Sequence, residues 1–194
     1  MNEIHEYIDY LTKERPHQNL ASVDLNHGLL LFAAIICAKP QRILNLGIGP
    51  GLTTQTIIHA LKYNKTGMLT CVDNLYDLGG NLKQSTLDQL KENGAEIVIS
   101  NEQDYVFNCL DNSFDIVVSD ADHNHAGEWV DEILRITKND GIIFCHDITS
   151  RDYPGLYQYF NRANALSLGN MLFNKSSRLD EMCARGWLMI LNKK

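Results

Sequence analysis

Apolar positions along this chain keep two alternating rhythms. Short apolar runs recur between longer stretches in which apolar side chains return every three or four residues. The first rhythm belongs to buried parallel strands, the second to helices packed on a sheet. Residues 2–13 carry Ile4, Ile8 and Leu11 on one side and predict a first helix, ended by Arg15-Pro16. Leu20 to Ala38 predicts a second, more apolar helix, stopped by Lys39-Pro40. A strand with Ile43, Leu44 and Leu46 begins near Arg42, and a helix from Leu52 to about Tyr63 follows, with Thr53 and Thr54 as its N-terminal caps. Met68–Asp73 is a second strand. Residues 81–93 form a helix with Leu82, Thr86, Leu87 and Leu90 inward, closed by Gly94. Ala95–Ile99 is a third strand, residues 105–110 a short helix, and Phe114–Val118 a fourth strand. A helix over 127–137, a turn over 138–141 and a fifth strand over Gly141–Cys145 come next. The tail holds a helix from Tyr153-Pro154-Gly155 to about Asn164, then strands within 167–175 and 185–192.

Strands alternating with helices predict an α/β fold: a mostly parallel sheet with helices on both faces. With 194 residues the chain fits a single domain, residues 1–40 forming an N-terminal helical cover and 41–194 the sheet core. Hydrophobic residues make up 44% and charged residues 21%, an ordinary globular balance. The formal net charge of −7, with no basic arm or stripe, argues against a nucleic-acid partner. Leu29–Ala38, the longest apolar run, is too short to cross a bilayer, and the N-terminus lacks a basic start followed by an apolar run. The expectation is no membrane partner and a cytoplasmic location. Cys37, Cys71, Cys109, Cys145 and Cys183 are odd in number and widely spaced, four of them in apolar surroundings, which reads as buried reduced thiols. Without a C-x-x-C, neither a zinc site nor a redox pair is indicated. A homodimer is compatible with the chain, but no motif specifies one.

The chemistry gathers where strands end. Ile43-Leu44-Asn45-Leu46-Gly47-Ile48-Gly49-Pro50-Gly51 is a strand, a glycine turn and the start of a helix. That order brings backbone N–H groups close to a ligand, since glycine lets the main chain approach closely and take positive φ. The spacing is G-x-G-x-G, and Leu52 stands where the third glycine of the dinucleotide fingerprint would fall. Asp73 closes the second strand, where doubly wound folds place an acid against ribose hydroxyls. Asp120, Asp122 and His123 follow the fourth strand, and His146-Asp147 follows the fifth. Carboxylates and imidazoles gathered at two neighbouring strand ends suit a divalent cation. Asp120 and Asp147 offer oxygens to Mg²⁺ or Ca²⁺, while His146 as a third ligand moves the preference toward Mn²⁺, Fe²⁺ or Zn²⁺. The alternative is that these are solvated loop residues, or that His146 caps a strand end.

The glycine segment resembles motif I of the class I S-adenosylmethionine-dependent methyltransferases, usually acidic-x-G-x-G-x-G, with Asn45 in place of the acid. Phe114-Asp115-Ile116-Val117-Val118-Ser119-Asp120-Ala121-Asp122-His123 and Lys138-Asn139-Asp140-Gly141-Ile142-Ile143-Phe144-Cys145-His146-Asp147 resemble the small-molecule O-methyltransferases. The macrocin and antibiotic-sugar group is nearest, the catechol and caffeoyl-CoA enzymes more distant. Together these motifs span residues 42–148. The resemblance implies a Rossmann-like seven-stranded sheet whose last strand is antiparallel, and S-adenosylmethionine as cofactor. Asn45, Gly47, Gly49, Gly51, Asp73 and Asp120 would lie on the cofactor side. Asn45 can hydrogen-bond but carries no charge, which implies weaker binding rather than none. Glu102 and Gln103 look similar to the adenine-side pair of the catechol-type enzymes, or else cap the helix beside them. The resemblance puts metal carboxylates at Asp120 and Asp147, with His146 standing where an acid is usual. It puts the general base at Asp122 or His123.

The implied reaction is in-line transfer of a methyl group to a hydroxyl of a small-molecule acceptor whose identity no motif reveals. A cation would lower the hydroxyl pKa, and His123 or Asp122 would take the proton. Two alternatives stand beside this reading: a non-catalytic S-adenosylmethionine-binding protein, to which the departures at Asn45 and His146 point, and an NAD-dependent oxidoreductase. A further rival is a metal-independent methyltransferase acting on nitrogen or carbon; no D/N-P-P-aromatic motif follows the fourth strand, which with the acidic net charge argues against a nucleic-acid substrate.

Overall fold

The computed structural model describes residues 3–10, 25–49, 51–75, 84–147, 154–173 and 187–192. The expected helix ends at 11–13, 20–24 and 81–83, together with Pro50 and Cys183, lie outside the described residues. In chain order the elements are α1 (Glu3–Asp9), α2 (Leu25–Ala38), β1 (Arg42–Leu46), α3 (Leu52–Asn64), β2 (Met68–Asp73), α4 (Gln84–Glu92) and β3 (Ala95–Ile99). Then come α5 (Glu102–Phe107), β4 (Phe114–Ser119), a 3₁₀ turn (Ala126–Trp129), α6 (Val130–Ile136), β5 (Thr137–Cys145), α7 (Pro154–Ala165), β6 (Gly169–Phe173) and β7 (Trp187–Asn192).

The strands form one seven-stranded sheet in the order β3-β2-β1-β4-β5-β7-β6. The first five are parallel; β7 runs antiparallel to both β5 and β6. This is the α/β, Rossmann-like architecture that the alternation predicts. The strand order reverses between β1 and β4, and in such sheets the crevice beyond the carboxyl ends of these two strands is where ligands bind. Side chains alternate across the sheet. Ile43, Leu69, Cys71, Ile116, Val118 and Phe144 face one core with Tyr7, Leu31, Phe32, Ile35 and Ile57 of α1–α3. Leu44, Leu46, Val72, Val117 and Ile143 face the other, with Val106, Trp129, Ile133, Ile136 and Tyr159. Burial on both faces is why these strands read as continuous apolar runs. Tyr7 fastens α1 to the fold: its ring stacks on Phe32 at 4.4 Å, and its hydroxyl meets Thr56 Oγ1 at 3.0 Å.

Several boundaries differ from expectation, each for a local reason. Thr53 and Thr54 do not cap α3. The cap is Gly51, in the left-handed region at φ 91°, without a side-chain cap bond, and both threonines are buried in the first turn. The helix after β3 begins at Glu102 rather than Tyr105, because Asn101 accepts hydrogen bonds from Gln103 N (2.9 Å) and Asp104 N (3.3 Å). The stretch before β5 enters through a 3₁₀ turn and ends at Ile136, and Thr137 already pairs with Phe114. Lys138–Gly141 is a bulge inside β5: the register passes from Phe114↔Thr137 to Ile116↔Ile142, with Asp140 at φ 62°. Cys37 is exposed, whereas Cys71 and Cys145 are buried and Cys109 is partly so. Among the described residues no helix is long and apolar enough to cross a membrane.

Candidate active site

The glycine turn is built from below by Asn45. Gly47 O can only accept, so the atom of Asn45 that faces it at 2.9 Å is the amide nitrogen, which also donates to Thr54 Oγ1 at 3.2 Å. Asn45 is fully buried. The turn then rises through Gly47 (φ 88°), Gly49 (φ 52°) and Gly51 (φ 91°), all in the left-handed region. Gly47 N donates to Val72 O at 2.9 Å, and Asp120 N donates to Leu46 O at 3.0 Å, so the ends of β1, β2 and β4 are stapled together. A side chain on Gly47 would strike the Asp120 backbone, whereas around Gly49 no described residue lies within 4 Å of where a Cβ would stand. The turn is packed on one side and open on the other.

Asp73, at the end of β2, faces this turn. Its Oδ2 accepts from Ile48 N at 2.7 Å and its Oδ1 from Leu75 N at 2.6 Å. An ionised carboxylate has about four acceptor positions, so each oxygen keeps one for a hydroxyl. Ser100 N donates to Asp73 O, which brings the start of α5, with buried Glu102 and half-buried Gln103, alongside β2.

The second group stands at the ends of β4 and β5. His146 N donates to Ser119 O at 3.1 Å, fixing the two strand ends side by side. His146 Nδ1 lies 2.9 Å from Asp120 Oδ1 and 3.4 Å from Asp147 Oδ1. His123 Nε2 lies 3.4 Å from Asp120 Oδ1 and 3.4 Å from Asp147 Oδ2. One ligand atom each from Asp120, His146 and Asp147 lie within 4.8 Å of one another, a donor set able to hold a metal ion. Burial alone would raise the Asp120 carboxyl, but the His146 charge and hydrogen bonds from His123 and His146 hold it well below the usual carboxylate range. Burial lowers the His123 imidazole, yet the hydrogen bond and charge of Asp120, with Asp147 behind, bring it above its ordinary 6.5.

Asp122 points elsewhere. Its Oδ1 meets His125 Nδ1 at 2.9 Å, and its carbonyl accepts from His125 N and Ala126 N, opening the 3₁₀ turn from φ 36°. Asp147 likewise holds a positive φ of 56°.

Two contributors were missed in the sequence. His27 of α2 is buried, and its ring packs edge-on to His146 at 5.8 Å and 74°. The only signal was a polar residue inside an otherwise apolar helical run. Tyr159 of α7 reaches Ser119 Oγ at 3.1 Å, beneath Asp120, and carried no signal among the apolar positions of its helix.

A glycine turn and an acid–imidazole group at the carboxyl edge of a 3-2-1-4-5-7-6 sheet can now be compared with known proteins. A family model described as a methyltransferase domain matches residues 44–148. The chain belongs to the methyltransferase-domain family. The resemblance to class I S-adenosylmethionine-dependent methyltransferases drawn from its motifs therefore holds, and the nicotinamide alternative falls away. This methyltransferase fold is also shared with solved structures. An O-methyltransferase from Bacillus cereus, solved with S-adenosylhomocysteine (SAH), has a TM-score of 0.71 at 14% identity over 98% of this chain and 91% of that one. The O-methyltransferase TomG of Streptomyces achromogenes, involved in tomaymycin synthesis and solved with S-adenosylmethionine, gives 0.66 at 14% over 100% and 91%. A SAH-bound methyltransferase from Podospora anserina gives 0.66 at 13% over 100% and 89%. No curated protein matches the chain by sequence.

Proposed function

We propose that this methyltransferase transfers the methyl group of S-adenosylmethionine to a hydroxyl of a small molecule, assisted by a divalent cation. The carrying observation is the direct packing of Gly47 on Asp120, which sets the glycine turn and the acid–imidazole group on one continuous surface. Three of the similar solved structures are described as O-methyltransferases or methyltransferases holding the cofactor or its demethylated product, which supports the same reading.

The residues fit the cofactor. The open face of Gly49 gives a chain of backbone close approach, the first turn of α3 lacks a side-chain cap, and Asp73 keeps acceptor capacity for ribose hydroxyls. Gly47, Gly49, Gly51 and Asp73 hold it in this scheme, with Glu102 and Gln103 on the adenine side. Asn45, being fully buried, acts by holding the turn. Asp120, Asp147 and His146 fit a cation. When bound, the cofactor supplies an electrophilic methyl group, and the cation lowers the pKa of the acceptor hydroxyl.

His123 is the better placed base. It stands between Asp120 and Asp147 at the strand ends, whereas the Asp122 carboxylate is turned to His125. In this scheme the neutral form of the His123 imidazole takes the hydroxyl proton and the carboxylates of Asp120 and Asp147 stabilise the charge it gains, while Asp122 shapes the turn that presents it. Acceleration then comes mainly from holding the acceptor oxygen in line with the methyl group. The test is calorimetric titration of SAH into the purified protein, with Mg²⁺ and again with EDTA, followed by methyl transfer to a panel of hydroxyl acceptors. Micromolar binding and transfer to a hydroxyl are expected. Binding without transfer to any acceptor would favour a non-catalytic cofactor-binding role.

A further inference from the structure

We infer that the cation centre of this site is a mixed nitrogen–oxygen one that takes a transition cation of the Zn²⁺ or Fe²⁺ kind through His146 Nδ1 in preference to Mg²⁺, with His27 positioning the His146 ring. The inference rests on the reading of Asp120, His146 and Asp147 as cation ligands.

Three observations support it. His146, the residue just past β5, is held in place: its backbone N–H is bonded to Ser119 O, and the residue is 1% exposed. Its Nδ1 is already turned toward both carboxylates, at 2.9 Å and 3.4 Å. Any ion held by Asp120 and Asp147 therefore meets an imidazole nitrogen. Mg²⁺ is hard, prefers oxygen and gives up water reluctantly, so a nitrogen in this place weakens the site for it. Imidazole suits Zn²⁺ and Fe²⁺.

The third observation is the ring packed against His146. A ligating histidine needs an outer partner to fix its orientation. His27 restricts the His146 ring by packing against it from α2, buried and edge-on at 5.8 Å. The N-terminal helical cover thus does more than pack against the sheet. It brings a side chain against the ring of the nitrogen ligand.

The experiment uses the full chain, stripped of metal and titrated separately with Zn²⁺ and Mg²⁺, with Cu²⁺ as a paramagnetic probe. The wild-type protein is expected to bind Zn²⁺ at least about 100-fold more tightly than Mg²⁺ and to show nitrogen splitting in the Cu²⁺ resonance. His146→Asp makes the set all-oxygen. It is expected to cut the Zn²⁺/Mg²⁺ ratio at least about tenfold and to reduce that splitting. His27→Ala should weaken Zn²⁺ several-fold with SAH affinity unchanged, and His27→Phe, which keeps a ring, should restore it. His146→Gln serves in place of His146→Asp if the latter does not fold. A Zn²⁺/Mg²⁺ ratio and nitrogen signal unchanged by both His146 substitutions overturn the inference. So does failure of the wild-type protein to take up Zn²⁺ while SAH still binds, because Asp120, His146 and Asp147 then form only an ion-paired cluster. Failure of SAH to bind the wild-type protein counts against the proposed function instead.

Discussion

Gly47 lies flat against the backbone of Asp120. A Cβ on Gly47 would overlap the Asp120 carbonyl oxygen and come within 2.8 Å of its carbon. The two residues end neighbouring strands, β1 and β4, on either side of the point where strand order reverses. Their contact makes one surface of the glycine turn and the acid–imidazole group.

Gly47 and Gly49 should therefore fail in different ways. Gly47→Ala meets both a backbone clash and φ 88°, and is expected to lower stability by about 3 kcal/mol or more, since steric conflict adds to left-handed strain. Gly49→Ala meets strain alone, about 1–2 kcal/mol. Its methyl group would stand on the open face, so SAH affinity should fall more than tenfold while most of the stability remains. Denaturant midpoints and calorimetry on the two variants separate these outcomes; equal losses in both measurements would sink the distinction.

Restoring the acid usual in motif I should harm this chain. Asn45 gives its amide N–H groups to Gly47 O and Thr54 Oγ1 in a fully buried place. Asn45→Asp sets a carboxylate oxygen against Gly47 O, two acceptors face to face without water. A loss of about 2 kcal/mol or more is expected, with weaker SAH binding. An Asn45→Asp protein as stable as wild type would show that Gly47 O has another donor.

The histidine after β4 should matter for turnover more than the aspartate before it. His123→Ala is expected to lower kcat by about 10²-fold or more with SAH affinity little changed, the usual scale for removing a general base. Asp122→Asn keeps an acceptor for the turn and for His125, and should cost less than about tenfold. The reverse ranking, measured on one acceptor, would transfer the base to Asp122.

Asp115 predicts an acid-sensitive step in stability away from the site. Burial would raise its carboxyl, but hydrogen bonds from Lys138 Nζ and Arg42 N, the Lys138 charge and a bond from Gln41 N bring it below the ordinary 3.8. The folded value is thus depressed. Its contribution is full above the unfolded value and is lost as pH falls through the folded one. Asp115→Asn should cost about 1 kcal/mol at neutral pH and flatten the decline of stability below pH ~4, read from denaturant midpoints across pH.

Strand order and site components were legible to different depths. β1, β2, β4 and β5 carry apolar runs because both their faces are buried, so they stand out from the polar segments between them. Gly47, Gly49, Gly51 and Asp73 were visible because their chemistry depends on spacing along the chain. The N-terminus of α3 was misread because threonines are good caps in general, whereas here the cap is Gly51 in a conformation no side-chain preference reveals. Helix α5 was placed three residues late because one acceptor, Asn101 Oδ1, decides where it begins.

By itself, then, the sequence determined the α/β class, the glycine turn, the acid at the end of β2 and the presence of acids and imidazoles after β4 and β5. These follow from local patterns: burial sets the rhythm of apolar residues, and backbone conformation requires glycine. Only the tertiary structure decided that Asp122 turns to His125 while His123 turns to Asp120 and Asp147, and that His27 packs edge-on to His146. Adjacent residues leave a strand end in different directions, and α2 lies far from β5 along the chain. The meeting of these side chains depends on backbone dihedrals and helix packing summed over the whole fold, to which no local pattern corresponds.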